Sequence, residues 1–116
     1  MFFGSGTNND INISVRELKE KIDKGEDFIL LDVREPQEYN FSRIKEKDAM
    51  LVPLMRLPTV LDKLPKDKPI YVLCRSGNRS LQATIWLLQK GYKNVKNVDG
   101  GILAWSQEID PSVPQY

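Results

Sequence analysis

The chain has 116 residues, 41% of them hydrophobic and 28% charged, and a formal net charge of +1. This length fits one domain with its own core, and the balanced charge points to neither nucleic acid nor an anionic membrane surface. There is no histidine and a single cysteine, Cys74, which excludes Ser-His-Asp and Cys-His catalysis, histidine-ligated metals, a structural zinc cluster and an internal disulfide.

The opening MFFGSGTNND lacks the basic start and long apolar run of a leader and reads as a loose tail over 1–9. A single domain is expected over 10–110, with a short Pro-rich tail over 111–116. No apolar run approaches the roughly 20 residues that span a bilayer, and cytosol is the default compartment for a chain with one thiol. INISVRELKEKIDKG begins with a short strand signal and continues as a helix. Ser14 and Glu17 form a capping box, Val15, Leu18 and Ile22 follow helical spacing, and Gly25 ends the segment. DFILLDV is an apolar run too short for a helix, as expected of a strand buried on both faces. EPQEYNF can form a short helix with Pro36 in its first turn. AMLVPL reads as a strand, LPTVLDKL as a short helix, and PIYVLC as a second fully buried strand. RSLQATIWLLQKG is a strong helix, with Leu81, Ile85 and Leu88, and Ala83 and Leu87, expected to face inward and Gly91 at its end. KNVKNV is a last strand and GGILAWSQEI a last helix. Strands alternating with helices predict an α/β domain with a mostly parallel sheet covered on both faces. Ligands of such sheets bind beyond the carboxyl ends of the strands, which is where Cys74 falls.

The loop CRSGNRS joins a strand to a helix. Its backbone N–H groups can converge on the cysteine sulfur at a helix N-terminus, and Gly77 permits the left-handed turn such a nest needs. Arg75 and Arg79 add positive charge. Together these groups favour the thiolate, the nucleophilic form of cysteine. The bland reading of a lone cysteine at a strand end is a small buried hydrophobe, and the two arginines and the glycine weigh against it. Arg75 taken alone reads as a solvated residue, Arg79 alone as a helix-start residue pairing with an acid, and Ser76 and Ser80 as turn and cap residues.

At CRSGNRS the chain resembles the rhodanese-like domain family, whose active-site signature is Cys-x-x-Gly-x-Arg. LLDVREPQEY resembles the family's upstream signature and VDGGILAW its C-terminal Gly-Gly…Ala-Trp motif. The matches lie in family order and cover nearly the whole domain. The resemblance implies a five-stranded sheet with helices on both sides. It also implies a sulfurtransferase in which Cys74 takes sulfane sulfur from a donor, becomes a persulfide and passes the sulfur to a thiophilic acceptor. Arg75, Ser76, Gly77, Asn78 and Arg79 then cradle the persulfide or a small anionic donor such as thiosulfate. Neither metal nor cofactor is expected. One departure is SRIKEKDA, which stands where family members usually read Gly-His-Ile-Pro-Gly-Ala; Arg43 takes the histidine's place. The end AWSQEIDPSVPQY is similar to rhodanese-like domains fused to adenylating enzymes that load ubiquitin-like sulfur carriers, which implies a sulfur-donor or sulfur-carrier protein as a partner.

Two other classes stand beside this reading. One is a non-catalytic binding or regulatory module, although such domains usually lose the cysteine. The other is a cysteine phosphatase or arsenate reductase. Four residues separate Cys74 from Arg79, one fewer than in cysteine phosphatases, and a smaller ring suits one added sulfur better than a tetrahedral phosphate. Elsewhere, Asp32 reads as a cap on the backbone of the REPQEY segment, Arg34 and Glu35 as a local charge network, Gly100 and Gly101 as a tight strand-to-helix turn, and Trp86 and Trp105 as core.

Overall fold

The short apolar runs become strands of one sheet. In the structure, a computed structural model describing residues 11–116, these are β1 (Asn12–Ile13), β2 (Ile29–Asp32), β3 (Met50–Leu51), β4 (Ile70–Leu73) and β5 (Val95–Val98). They form a five-stranded sheet in the order β1-β5-β4-β2-β3, with every neighbouring pair parallel. The central strand is β4, and Cys74 follows its last residue. The expected tail over 1–9 lies outside the described residues.

Both faces of the sheet are covered, which is why its central strands are continuous apolar runs rather than alternating ones. Phe28, Leu30, Tyr71, Leu73 and Val98 point into one layer with Val15 and Leu18 of α1 (Val15–Asp23) and Ile102 and Trp105 of α4 (Gly101–Glu108). Leu31, Val33, Ile70, Val72, Cys74 and Val95 point into the other, against Ala83 and Leu87 of α3 (Asn78–Gln89) and Leu57 and Leu64 around a 3₁₀ segment (Leu54–Lys63). The capping box of α1 forms as expected. Ser14 Oγ accepts the Glu17 N–H at 3.1 Å, and Glu17 Oε1 accepts the Ser14 N–H at 3.1 Å. α2 (Pro36–Phe41) carries Pro36 in its first turn, where its missing N–H leaves no bond unmade.

Several local expectations shift. The helix expected at LPTVLDKL is a 3₁₀ segment that begins earlier, at Leu54, and holds Pro58 inside it; proline removes an α-helical bond and clashes with the preceding turn. α3 turns only one stripe to the sheet. Ser80, Ala83, Thr84 and Leu87 are buried on it, whereas Ile85, two residues and about 200° on from Ala83, is 43% exposed. Leu81 and Leu88 are half-buried, as is Trp86, while Trp105 is fully buried. Residues 111–116, expected to trail beyond the domain, fold back onto it. Val113 is 1% exposed, its carbonyl accepts the Ser106 hydroxyl at 2.7 Å, and the Pro114 carbonyl accepts the Ser42 hydroxyl at 2.5 Å. Among the described residues no helix is long and apolar enough to cross a membrane.

Candidate active site

Cys74 leaves the end of β4 and is 1% exposed. The turn after it is shaped by α4. The carbonyl oxygens of Cys74 and Arg75 accept the N–H groups of Ile102 (2.9 Å) and Leu103 (3.1 Å), at the first turn of that helix. Gly101 makes this approach possible, because a Cβ there would lie 2.5 Å from both carbonyl oxygens, and its φ is +61°. Gly100 (φ +78°) makes the turn with it, as expected of this pair. The loop carbonyls thus face α4, while N–H groups reach the sulfur. Gly77, with φ +106°, donates to Cys74 Sγ at 3.1 Å, and Ser80 donates its N–H at 3.4 Å. The sulfur therefore sits on the N-terminus of α3, where unpaired donors and the helix dipole favour negative charge.

Ser80 contributes more than a cap. Its hydroxyl oxygen lies 3.2 Å from Sγ and donates to Asn97 Oδ1 at 2.5 Å, and Asn97 Nδ2 donates to Asn12 Oδ1 at 2.9 Å. A serine hydroxyl has one proton and two lone pairs. With a neutral thiol, the S–H donates to Ser80 while Ser80 donates to Asn97; with a thiolate, the hydroxyl can turn to the sulfur.

The arginines are placed differently from a simple cationic ring. Arg79 forks onto Glu38 of α2, with Nη1–Oε2 at 2.9 Å and Nη2–Oε1 at 2.8 Å. Glu38 Oε2 also accepts the Glu35 N–H at 2.9 Å, and Oε1 accepts the Tyr116 hydroxyl at 2.8 Å. The Arg79 bonds, opposed by burial and helped by the Glu35 amide and Tyr116, hold the Glu38 carboxyl down to about 2. Arg79 is pushed above its ordinary value, chiefly by Glu38, with the charge of Cys74 among the lesser causes. Arg75 is exposed, and its Nε donates to the backbone oxygen of Tyr116. Neither guanidinium is hydrogen-bonded to the sulfur among the described residues, so the direct contacts to it are Gly77, Ser80 and the Ser80 hydroxyl. Ser76 and Asn78 are exposed; they set the length of the turn.

Beneath this rim lies a buried ion pair. Arg34 is 0% exposed and reaches Asp32 through Nε (2.9 and 3.1 Å) and Nη2 (2.7 Å), and Asp32 Oδ1 accepts the Arg34 N–H at 3.1 Å. Asp32 thus caps its own segment, as the sequence reading expects. Burial disfavours the Arg34 charge, and the Asp32 bonds more than offset it, leaving Arg34 above its ordinary value. Arg43, in the altered loop, stacks on Tyr39 at 4.9 Å from the ring centre. No cluster of three or more potential metal-ligating residues occurs among the described residues.

Glu38, Asn97 and Tyr116 are the site residues the sequence reading does not single out, and Ser80 the one it assigns too little. Asn97 carries a usable signal, a polar residue among the apolar positions of a buried strand. Glu38 and Tyr116 carry none for the site, because Arg79 lies 41 residues from Glu38, and Arg75, Glu38 and Arg34 lie 41, 78 and 82 residues from Tyr116.

Residues 14–108 match the family model described as the Rhodanese-like domain. The chain is 38% identical over 101 residues to a sulfurtransferase of Allochromatium vinosum, covering 87% of this chain and 92% of that one. It is 36% identical over 116 residues to an adenylyltransferase and sulfurtransferase of Meyerozyma guilliermondii, covering 93% of this chain and 26% of that longer protein. The crystal structure of a rhodanese-like domain protein from Staphylococcus aureus superposes with a TM-score of 0.76 at 28% identity, covering 91% of this chain and 98% of that one. The cysteine cradle at the end of the central strand and a family match running from α1 through α4 converge on one assignment: the chain belongs to the rhodanese-like domain family, whose relatives here are sulfurtransferases.

Proposed function

We propose that the protein is a sulfurtransferase that moves sulfane sulfur from thiosulfate or a protein persulfide to a thiophilic acceptor through a persulfide on Cys74. The observation that carries this reading is the sulfur at the N-terminus of α3, accepting the N–H groups of Gly77 (3.1 Å) and Ser80 (3.4 Å). Such donors stabilise a sulfur anion before and after transfer. In the first step the Cys74 thiolate attacks the outer sulfur of thiosulfate. The S–S bond of the donor breaks, sulfite leaves with the electron pair, and Cys74–S–S⁻ remains. In the second step an acceptor such as cyanide or a thiolate attacks the outer sulfur, the new S–S bond breaks, and the Cys74 thiolate returns. No oxidant, metal or cofactor enters either step. Cys74 itself is recessed, and an S–S bond adds roughly 2 Å of reach toward the rim.

Arg75 is the exposed cation for an anionic donor, whereas the charge of Arg79 is answered by Glu38. The likeness to a relative named adenylyltransferase and sulfurtransferase supports a sulfur-carrier protein as a further partner, and a single free thiol suits the reducing cytoplasm. The test is steady-state sulfur transfer from thiosulfate to cyanide, run beside hydrolysis of an aryl phosphate. The proposal expects thiocyanate formation that disappears in Cys74→Ser, and no phosphate release. Phosphate release through Cys74 without sulfur transfer would replace it with the phosphatase reading.

A further inference from the structure

Tyr116 touches Arg34, Glu38 and Arg75, and reaches Arg79 through Glu38. Its hydroxyl accepts Arg34 Nη1 at 3.0 Å and donates to Glu38 Oε1 at 2.8 Å. Its ring centre lies 5.3 Å from Arg75 Cζ and 6.0 Å from Arg34 Cζ, and meets Phe41 edge-on at 6.0 Å. Its backbone oxygen accepts Arg75 Nε. The residue is itself fixed, because the chain leading to it is tied down through Val113 and Pro114. The charges around it are unequal. Arg34 is answered by Asp32 and Arg79 by Glu38. Arg75 meets no carboxylate side chain among the described residues; its contacts there are the ring and backbone oxygen of Tyr116. Arg75 is thus the cation left to an incoming anion, and Tyr116 decides where it stands.

Resting on the sulfurtransferase reading, we infer that Tyr116 is a positioning residue for the anionic sulfur donor: it holds the Arg75 guanidinium in place at the mouth of the Cys74 site before the donor arrives. A free arginine at a loop surface would have to be ordered on binding. Ordering one such side chain weakens binding several-fold, and the ring contributes a comparable cation–π attraction. Tyr116 does not reach the sulfur in any described contact, so its effect belongs to donor affinity and not to the chemical step.

The test measures thiosulfate binding by NMR titration in a Cys74→Ala background, where no sulfur moves, and sulfur-transfer kinetics with Cys74 present. Tyr116→Leu is expected to raise the thiosulfate Kd about threefold to tenfold and KM likewise, with kcat within about twofold. Tyr116→Phe keeps the ring and the backbone oxygen and is expected to stay within about twofold of the parent Kd. Adding Tyr116→Leu to Arg75→Ala is expected to weaken binding no further, since the two act through one contact. Unchanged binding in a folded Tyr116→Leu, full additivity with Arg75→Ala, or no detectable thiosulfate binding in the parent would each overturn the inference. Should Tyr116→Leu fail to fold, Arg75→Lys carries the test. It keeps the charge and loses the planar guanidinium, so binding at the parent level would overturn the inference. Thiosulfate binding with this Tyr116 dependence but no persulfide on the wild-type cysteine would overturn the sulfurtransferase reading and leave the inference standing as an anion site.

Discussion

At the scale of single residues, Cys74 and Ser80 lead to opposite expectations. Cys74→Ser changes little volume and keeps an atom able to accept the Gly77 and Ser80 N–H groups, so the variant is expected to fold with nearly the parent thermal midpoint and to transfer no sulfur. A large loss of stability with residual transfer would make Cys74 a core residue. Ser80→Ala removes the donor that satisfies the buried Asn97 Oδ1. An orphaned buried acceptor costs about 1–3 kcal/mol, so denaturant titration of this variant is expected to show a loss in that range, together with slower sulfur transfer. Glu38 adds a pH signature. Its carboxyl falls from an ordinary 4.5 to about 2 in the folded chain. A depressed acid contributes its stability above the unfolded value and loses it as pH falls through the folded one. The stability difference between the wild type and Glu38→Gln is therefore expected to hold steady above about pH 5 and to shrink between pH 4.5 and about 2. The partial exposure of Arg79 limits the effect to about 1 kcal/mol. A difference that stays constant down to pH 2 would contradict the assignment of the Glu38 shift.

At the scale of elements, the site is a junction between the loop after β4 and the start of α4. Gly101 is the position where the two backbones meet. Gly101→Ala would set a Cβ 2.5 Å from two carbonyl oxygens, and backbone does not yield cheaply, so a loss of about 2–4 kcal/mol is expected together with slower sulfur transfer. Gly25→Ala is the matched control. Its φ is +67°, but nothing lies within 4 Å of the added Cβ, so only conformational strain of about 1 kcal/mol remains, with no effect on transfer. Equal losses in the two variants would show that the close approach at Gly101 does not matter. Elements were legible where one physical signal dominates. The apolar runs around β2 and β4, too short for helices and covered on both faces, are strands; the Ser14–Glu17 box starts α1; Gly100 and Gly101 mark the turn into α4. Legibility fails where the outcome depends on what packs above. Ile85 has helical spacing but lies off the buried stripe of α3, and Pro58 stands inside a stretch that forms a 3₁₀ segment.

At the scale of the whole molecule, the sequence marks Cys74, the proposed nucleophile, but not its surroundings. Cys74, Gly77 and Ser80 lie within one turn of chain and are readable together from CRSGNRS. Glu38, Asn97 and Tyr116 reach the same place from α2, β5 and the returning segment 111–116, and a single sequence does not say which polar residues meet across such separations. That returning segment is part of the fold. Deleting 111–116 removes the buried Val113 and the ties of Ser42 and Ser106, and is expected to lower stability by about 2–4 kcal/mol as well as to release Arg75; truncation that leaves the unfolding midpoint unchanged would contradict this. The central claim is that Cys74 carries the sulfur. Intact-mass spectrometry after incubation with thiosulfate, and separately with a protein persulfide, tests it most directly. The account predicts a gain of one sulfur atom with at least one donor, reversed by reductant and absent in Cys74→Ser; an unchanged mass with both donors, or the same gain in Cys74→Ser, would contradict it.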